Sequence, residues 1–78
     1  MADTVTEALE RALSTRQVAH AFQPIWRIAP PLLHGFEALA RFPNGARPDL
    51  VWDEARRQGV TMELDQISVH CAVGRPRF

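Results

Sequence analysis

The chain reads as one small α/β unit in which a helix, an antiparallel β-hairpin and two further helices follow one another. Three observations predict this. Apolar residues recur at helical spacing near the start, with Val5, Ala8, Leu9, Ala12 and Leu13. Two runs rich in β-branched and aromatic residues then flank Ala29-Pro30-Pro31. Helical spacing returns on both sides of Gly59.

The first helix is predicted over about residues 5–14, with Thr4 and Glu7 spaced as a capping box and Ser14-Thr15-Arg16 as the exit. A first strand follows from Val18 to Ile28. Pro24 lies inside it and has no N–H to give a ladder, so an edge position or irregular pairing is expected there. The second strand spans about Leu32 to Phe42. Its connection to the first is too short for a crossover, which takes a dozen or more residues, so the two strands must be antiparallel. Residues 43–48 form a turn-rich loop, and Asp49 is the expected N-cap of a second helix over about residues 50–58. Gly59 suits the left-handed residue that ends it. A third helix is predicted over about residues 62–73, with Leu64, Ile67 and Cys71 along one stripe and Val69, Ala72 and Val73 beside it. The tail from Gly74 to Phe78 is expected to add no element.

At 78 residues the sequence holds one domain at most, of a size at which a core supplies only about 3–5 kcal/mol without disulfides, metals or oligomerisation. Nine basic and nine acidic residues cancel, which removes the broad field that a sequence-independent nucleic-acid binder or a membrane-surface protein relies on. Arg56-Arg57 and the Arg75/Arg77 tail are too small to replace it. Cys71 has no second cysteine to pair with, which agrees with a reducing compartment, and the N-terminal residues contain no apolar run of signal or membrane-span length. A cytoplasmic location is the expectation.

The chemistry concentrates in Gly35-Phe36-Glu37-Ala38-Leu39-Ala40-Arg41-Phe42. On a strand, Gly35, Glu37, Leu39 and Arg41 share one face and Phe36, Ala38, Ala40 and Phe42 the other. A carboxylate in so apolar a stretch needs Arg41, a metal ion or an open cleft. Residue types alone also fit a same-face ion pair of Glu37 with Arg41 on an ordinary strand.

This stretch, together with Phe22-Gln23-Pro24-Ile25, the Gly45 to Pro48 loop, and Val51, Trp52, Ala55, Gly59, Leu64 and Asp65 downstream, resembles the EAL domain, a family named for the tripeptide that stands here as Glu37-Ala38-Leu39. The resemblance covers about residues 17–72, and three ordered blocks at the right separations carry it. It implies an N-terminal fragment of a modified TIM barrel whose first strand runs antiparallel to the rest. It implies relation to the phosphodiesterases that open cyclic di-GMP to linear pGpG with Mg²⁺ or Mn²⁺. Carried over residue by residue, Glu37 would be a metal ligand, and Gln23 and Arg41 would hold the substrate's base or phosphate. The hard carboxylate oxygen suits a hard cation, and the guanidinium fork suits a phosphate. Arg56 stands where the family usually has Glu, and Thr61 where it usually has an aliphatic residue.

The family's other metal ligands and acidic pair fall after Phe78, whereas a complete barrel takes about 250 residues. The expectation is therefore a single partial EAL domain over residues 1–78 that is inactive alone and that self-associates or docks on another protein. A non-catalytic interaction module is the alternative. Gln23 also fits a plain backbone hydrogen-bonder, and Asp65 either an exposed helix residue or an anchor for the third helix. His20, His34 and His70 match no metal spacing and are expected at the surface or in packing. Cys71 is expected in the core. Trp26 and Trp52 suit core or partner-facing packing better than base stacking.

Overall fold

The computed structural model describes residues 3–74. Its elements are α1 (Thr4–Thr15), β1 (Ala19–Arg27), β2 (Leu32–Arg41), α2 (Pro48–Gln58) and α3 (Thr61–Val73). The helix, hairpin and two helices are those expected, with boundaries moved by one or two residues. The expectation that residues 75–78 add no element lies outside the described residues.

Two helix starts differ from the sequence expectation. The N-cap of α1 is Asp3, in extended conformation, and its Oδ1 accepts the Thr6 N–H at 2.7 Å. Thr4 is already helical, so its hydroxyl is not at the capping position. Before α2, Pro48 supplies a φ already suited to the first helical turn, so the helix begins there and Arg47 becomes the N-cap without a side-chain cap bond. Asp49 then falls in the first turn, near the positive end of the helix dipole, and pairs with Arg47 at 2.7 Å. The end of α2 is as expected. Gly59 sits at φ 74°, and the N–H groups of Gly59 and Val60 return to the carbonyls of Arg56 (3.2 Å) and Ala55 (2.9 Å), the paired bonds of a Schellman cap.

The core lies among the three helices and the base of the hairpin. Ala8, Leu9 and Ala12 from α1, Val51 and Ala55 from α2, and Leu64 and Ile67 from α3 are buried together with Val18, Phe42 and Ala46. Alanine at three helical positions, Ala8, Ala12 and Ala55, lets the helices approach closely, and the largest fully buried side chains are only Leu9, Leu64 and Val51. Val69 and Val73, expected beside the apolar stripe of α3, are exposed. The 43–47 loop is tied down by Asn44, whose Nδ2 donates to the Thr4 carbonyl at 2.8 Å and whose Oδ1 accepts the Ala46 N–H at 3.1 Å. Trp52 stacks at a tilt on Phe42, with ring centres 6.1 Å apart, and its Nε1 donates to Asp65 Oδ1 at 2.7 Å. Asp65 is thus an anchor that fixes α3 to α2. Cys71 is half-buried against the core, and its thiol lies 3.8 Å from the Arg16 carbonyl.

The hairpin is a two-stranded antiparallel sheet in which Ala19 faces Arg41, Gln23 faces Glu37 and Ile25 faces Gly35. Its register shifts between Ile25 and Trp26, so that Trp26 faces Leu33 and His34 is the extra residue of a bulge. Pro24 itself stays in register opposite Phe36 on an edge strand, as its missing N–H requires, and the irregularity falls just beyond it. Only the base of the hairpin rests on the helices. Beyond it Phe22 (54% exposed), Phe36 (60%), Trp26 (61%) and Ile28 (88%) project into solvent, and the molecule measures 51 × 30 × 21 Å.

So small a core makes single truncations severe. Leu64→Ala is expected to cost about 2–5 kcal/mol, comparable with the whole stability of about 3–5 kcal/mol for a core this size. Urea titration followed by circular dichroism should then show no folded baseline; an unchanged midpoint would contradict the packing. The Thr6 N–H holds the Asp3 carboxyl below the usual range, and Gln58, then Arg57, does the same for Glu54. Both groups have folded values below their unfolded ones, so their contribution is complete above the ordinary carboxylate range and is lost as pH falls through the folded values. Stability should decline below about pH 4, and Asp3→Asn, which keeps a capping oxygen, should flatten part of that decline in acid-dependent urea titrations.

Candidate functional site

The residues singled out by the sequence meet on one face of the hairpin. Gln23 and Glu37 are directly opposed, and opposed residues of an antiparallel pair project to the same side. Arg41 follows Glu37 by four positions on β2 and so shares that side. The other side carries His20, Ala40 and, just past the strands, Val18 and Phe42, which pack on the helices. The Gln23–Glu37–Arg41 face is therefore the one turned away from the helices, and all three residues are exposed. A slip of one residue would have placed Glu37 toward the core.

The same-face ion pair does not form. Four residues of strand separate Glu37 and Arg41 by about 13 Å along the chain, beyond the reach of a direct contact without curling. Arg41 instead donates from Nη1 to the Ala40 carbonyl at 3.0 Å, and among the described residues Glu37 has no ion pair. Glu37 lies exposed on an open strand face, where water meets its charge. The carboxylate and the guanidinium, whose only bond among the described residues is to the neighbouring Ala40 carbonyl, both stand exposed to a ligand, with Leu39 and Ala21 between them on the same side.

Two contacts escaped the sequence reading. His20 Nε2 lies 3.1 Å from Ser68 Oγ, and this bond fastens β1 to α3. The hairpin register, which puts His20 opposite Ala40 on the helix side, was the available signal. The Trp52–Asp65 bond crosses the break at Gly59, and neither helix's own periodicity announces it. A cleft of about 350 Å³ between β1 and α3 is lined by His20, Phe22, His70 and Cys71 among others.

Mg²⁺ requires near-octahedral oxygen coordination, and a two-metal hydrolase requires ligands on both sides of a bridging water. Among the described residues no three His, Cys, Asp or Glu side chains come together as a group able to hold a metal. Glu37 alone on an open strand face does not make a metal centre, and a Mg²⁺ or Mn²⁺ of the kind the resemblance implies would need further oxygen ligands beside it. Among the described residues no helix is long and apolar enough to cross a membrane. Comparison with family models, with curated proteins and with solved structures finds no match to this chain.

Because the Glu37 side chain makes no fold contact among the described residues, Glu37→Gln should leave the unfolding free energy from urea titration within about 0.5 kcal/mol of the native chain. Trp52→Phe, which strands Asp65 without its donor, should lower stability by about 1 kcal/mol. Equal losses in the two variants would mean that Glu37 is a structural residue.

Proposed function

We propose that these residues form the N-terminal segment of an EAL-type domain related to cyclic di-GMP phosphodiesterases, with Glu37, Gln23 and Arg41 as its ligand-facing groups. The observation that supports this reading is the common face: the three residues carried over from the motif lie together on the side of the hairpin that the helices leave open. In a barrel of this kind such a face belongs to the inner wall, and groups from several strands converge on the site. Arg41 suits a phosphate oxygen and Gln23 the edge of a base. Glu37 supplies one carboxylate toward Mg²⁺ or Mn²⁺, and the remaining ligands have to come from outside these residues. Hydrolysis by the 78-residue chain itself is accordingly not expected.

A transplant tests the assignment. Residues 17–72 exchanged for the corresponding stretch of a complete EAL-type phosphodiesterase should give a chimera that hydrolyses cyclic di-GMP with added Mg²⁺ or Mn²⁺, and Glu37→Ala should lower its rate by more than about 100-fold. A folded chimera indifferent to Glu37→Ala would overturn the reading.

The second reading is a non-catalytic interaction module, favoured by the exposed apolar residues Phe22, Trp26, Ile28 and Phe36 on the distal hairpin. It predicts an indifferent Glu37 in that chimera.

A further inference from the structure

We propose that a second copy of this chain pairs with the outer edge of β2, strand to strand and antiparallel, centred on Leu39. This does not rest on the phosphodiesterase reading and concerns the 78-residue chain by itself, since in a closed barrel a neighbouring strand takes the same edge.

Residues 36–42 read Phe-Glu-Ala-Leu-Ala-Arg-Phe, a sequence nearly symmetric about Leu39 in which the one departure is a change of charge sign. A two-fold axis through Leu39, normal to the sheet, sets each residue opposite its mirror position in the other copy. Glu37 then faces the second copy's Arg41, and Arg41 its Glu37, on the side where Gln23 also stands. On the helix side Ala38 faces the second copy's Ala40, and the exposed ring of Phe36 comes beside its Phe42. The two charges that lie too far apart to pair within one strand are thus matched between two. A single register satisfies both faces at once.

The edge is open to such a partner. Among the described residues β2 pairs only with β1, and α3 packs on β1. Proteins guard exposed edges with lysine, proline or a bulge. The β1 edge has Pro24, while β2 from Gly35 to Arg41 has no proline, its bulge at His34 falls before the paired stretch, and the chain contains no lysine at all. Pairing would give a four-stranded sheet in which each β2 is internal, with the two open faces of the hairpins side by side.

Charge reversal tests the register. Sedimentation equilibrium of the native 78-residue chain should give twice the 8.8 kDa monomer mass at high concentration. Glu37→Arg alone and Arg41→Glu alone should each weaken self-association by about tenfold or more, because two attractive cross-strand pairs become repulsive. Within its own hairpin Glu37 is opposed by Gln23 and Arg41 by Ala19, so neither reversal creates a like-charge pair in the monomer. An equimolar mixture of the two variants should recover the dimer, since one copy then offers only positive charge and the other only negative. A native chain that stays monomeric at hundreds of micromolar, a dimer that survives both single reversals, or two folded variants whose mixture fails to associate would each overturn the proposal.

Discussion

The register of the hairpin is the constraint on which the rest depends. Strand side chains alternate strictly, so the choice of which residue faces which decides the side on which every group of β1 and β2 appears. That choice is made at the base. Val18 and Phe42 are buried in the helical core, His20 bonds to Ser68 on α3, and Ala40 packs beside them. Once those four residues face the helices, Gln23, Glu37, Leu39 and Arg41 have to face away. The same anchoring leaves the distal half without support, because the helices reach no further than the base. The core that enforces the register is built largely from alanine and a few larger aliphatic residues, so a small amount of buried apolar surface decides the placement of all the chemistry.

Much of this was legible from residue pattern. The helical spacings around Leu9, Val51 and Leu64 reported the buried stripes, the short proline turn dictated an antiparallel pair, and Gly59 marked a helix end that needs a left-handed residue. The caps were less legible, since capping depends on which residue is the last to stay extended. Asp3 and Thr4 are both good caps by type, and only the backbone distinguishes them. Pro48 began α2 two residues before the expected start, which turned Asp49 from a cap into a first-turn charge. The site divided in the same way. Alternation announced that Glu37 and Arg41 share a face, but it was silent on whether that face is covered and on the strand distance that keeps the two apart. Long-range partners such as Trp52 with Asp65 need the helix crossing itself to be known.

The arrangement is chemically open. A carboxylate, a guanidinium and an amide stand exposed on one face with a small apolar surface between them, and none of the three is occupied in holding the fold together. That is the disposition of groups available to a ligand, to further strands or to a second chain. It is also far short of a metal centre, which needs several oxygen donors converging on one point. The distal aromatic residues add to the same picture: the apolar surface that the helices do not reach is large for a chain of this length, and water is a poor final environment for it.

The most direct measurement is the cross-strand contact pattern of the hairpin by nuclear Overhauser spectroscopy on the uniformly labelled chain. Contacts joining Gln23 with Glu37 and Ala21 with Leu39 are expected, with His20 close to Ser68. Contacts joining Gln23 with Phe36 or Ala38 instead would mean a strand slipped by one residue, with Gln23 and Glu37 on opposite faces and the common face of Gln23, Glu37 and Arg41 lost.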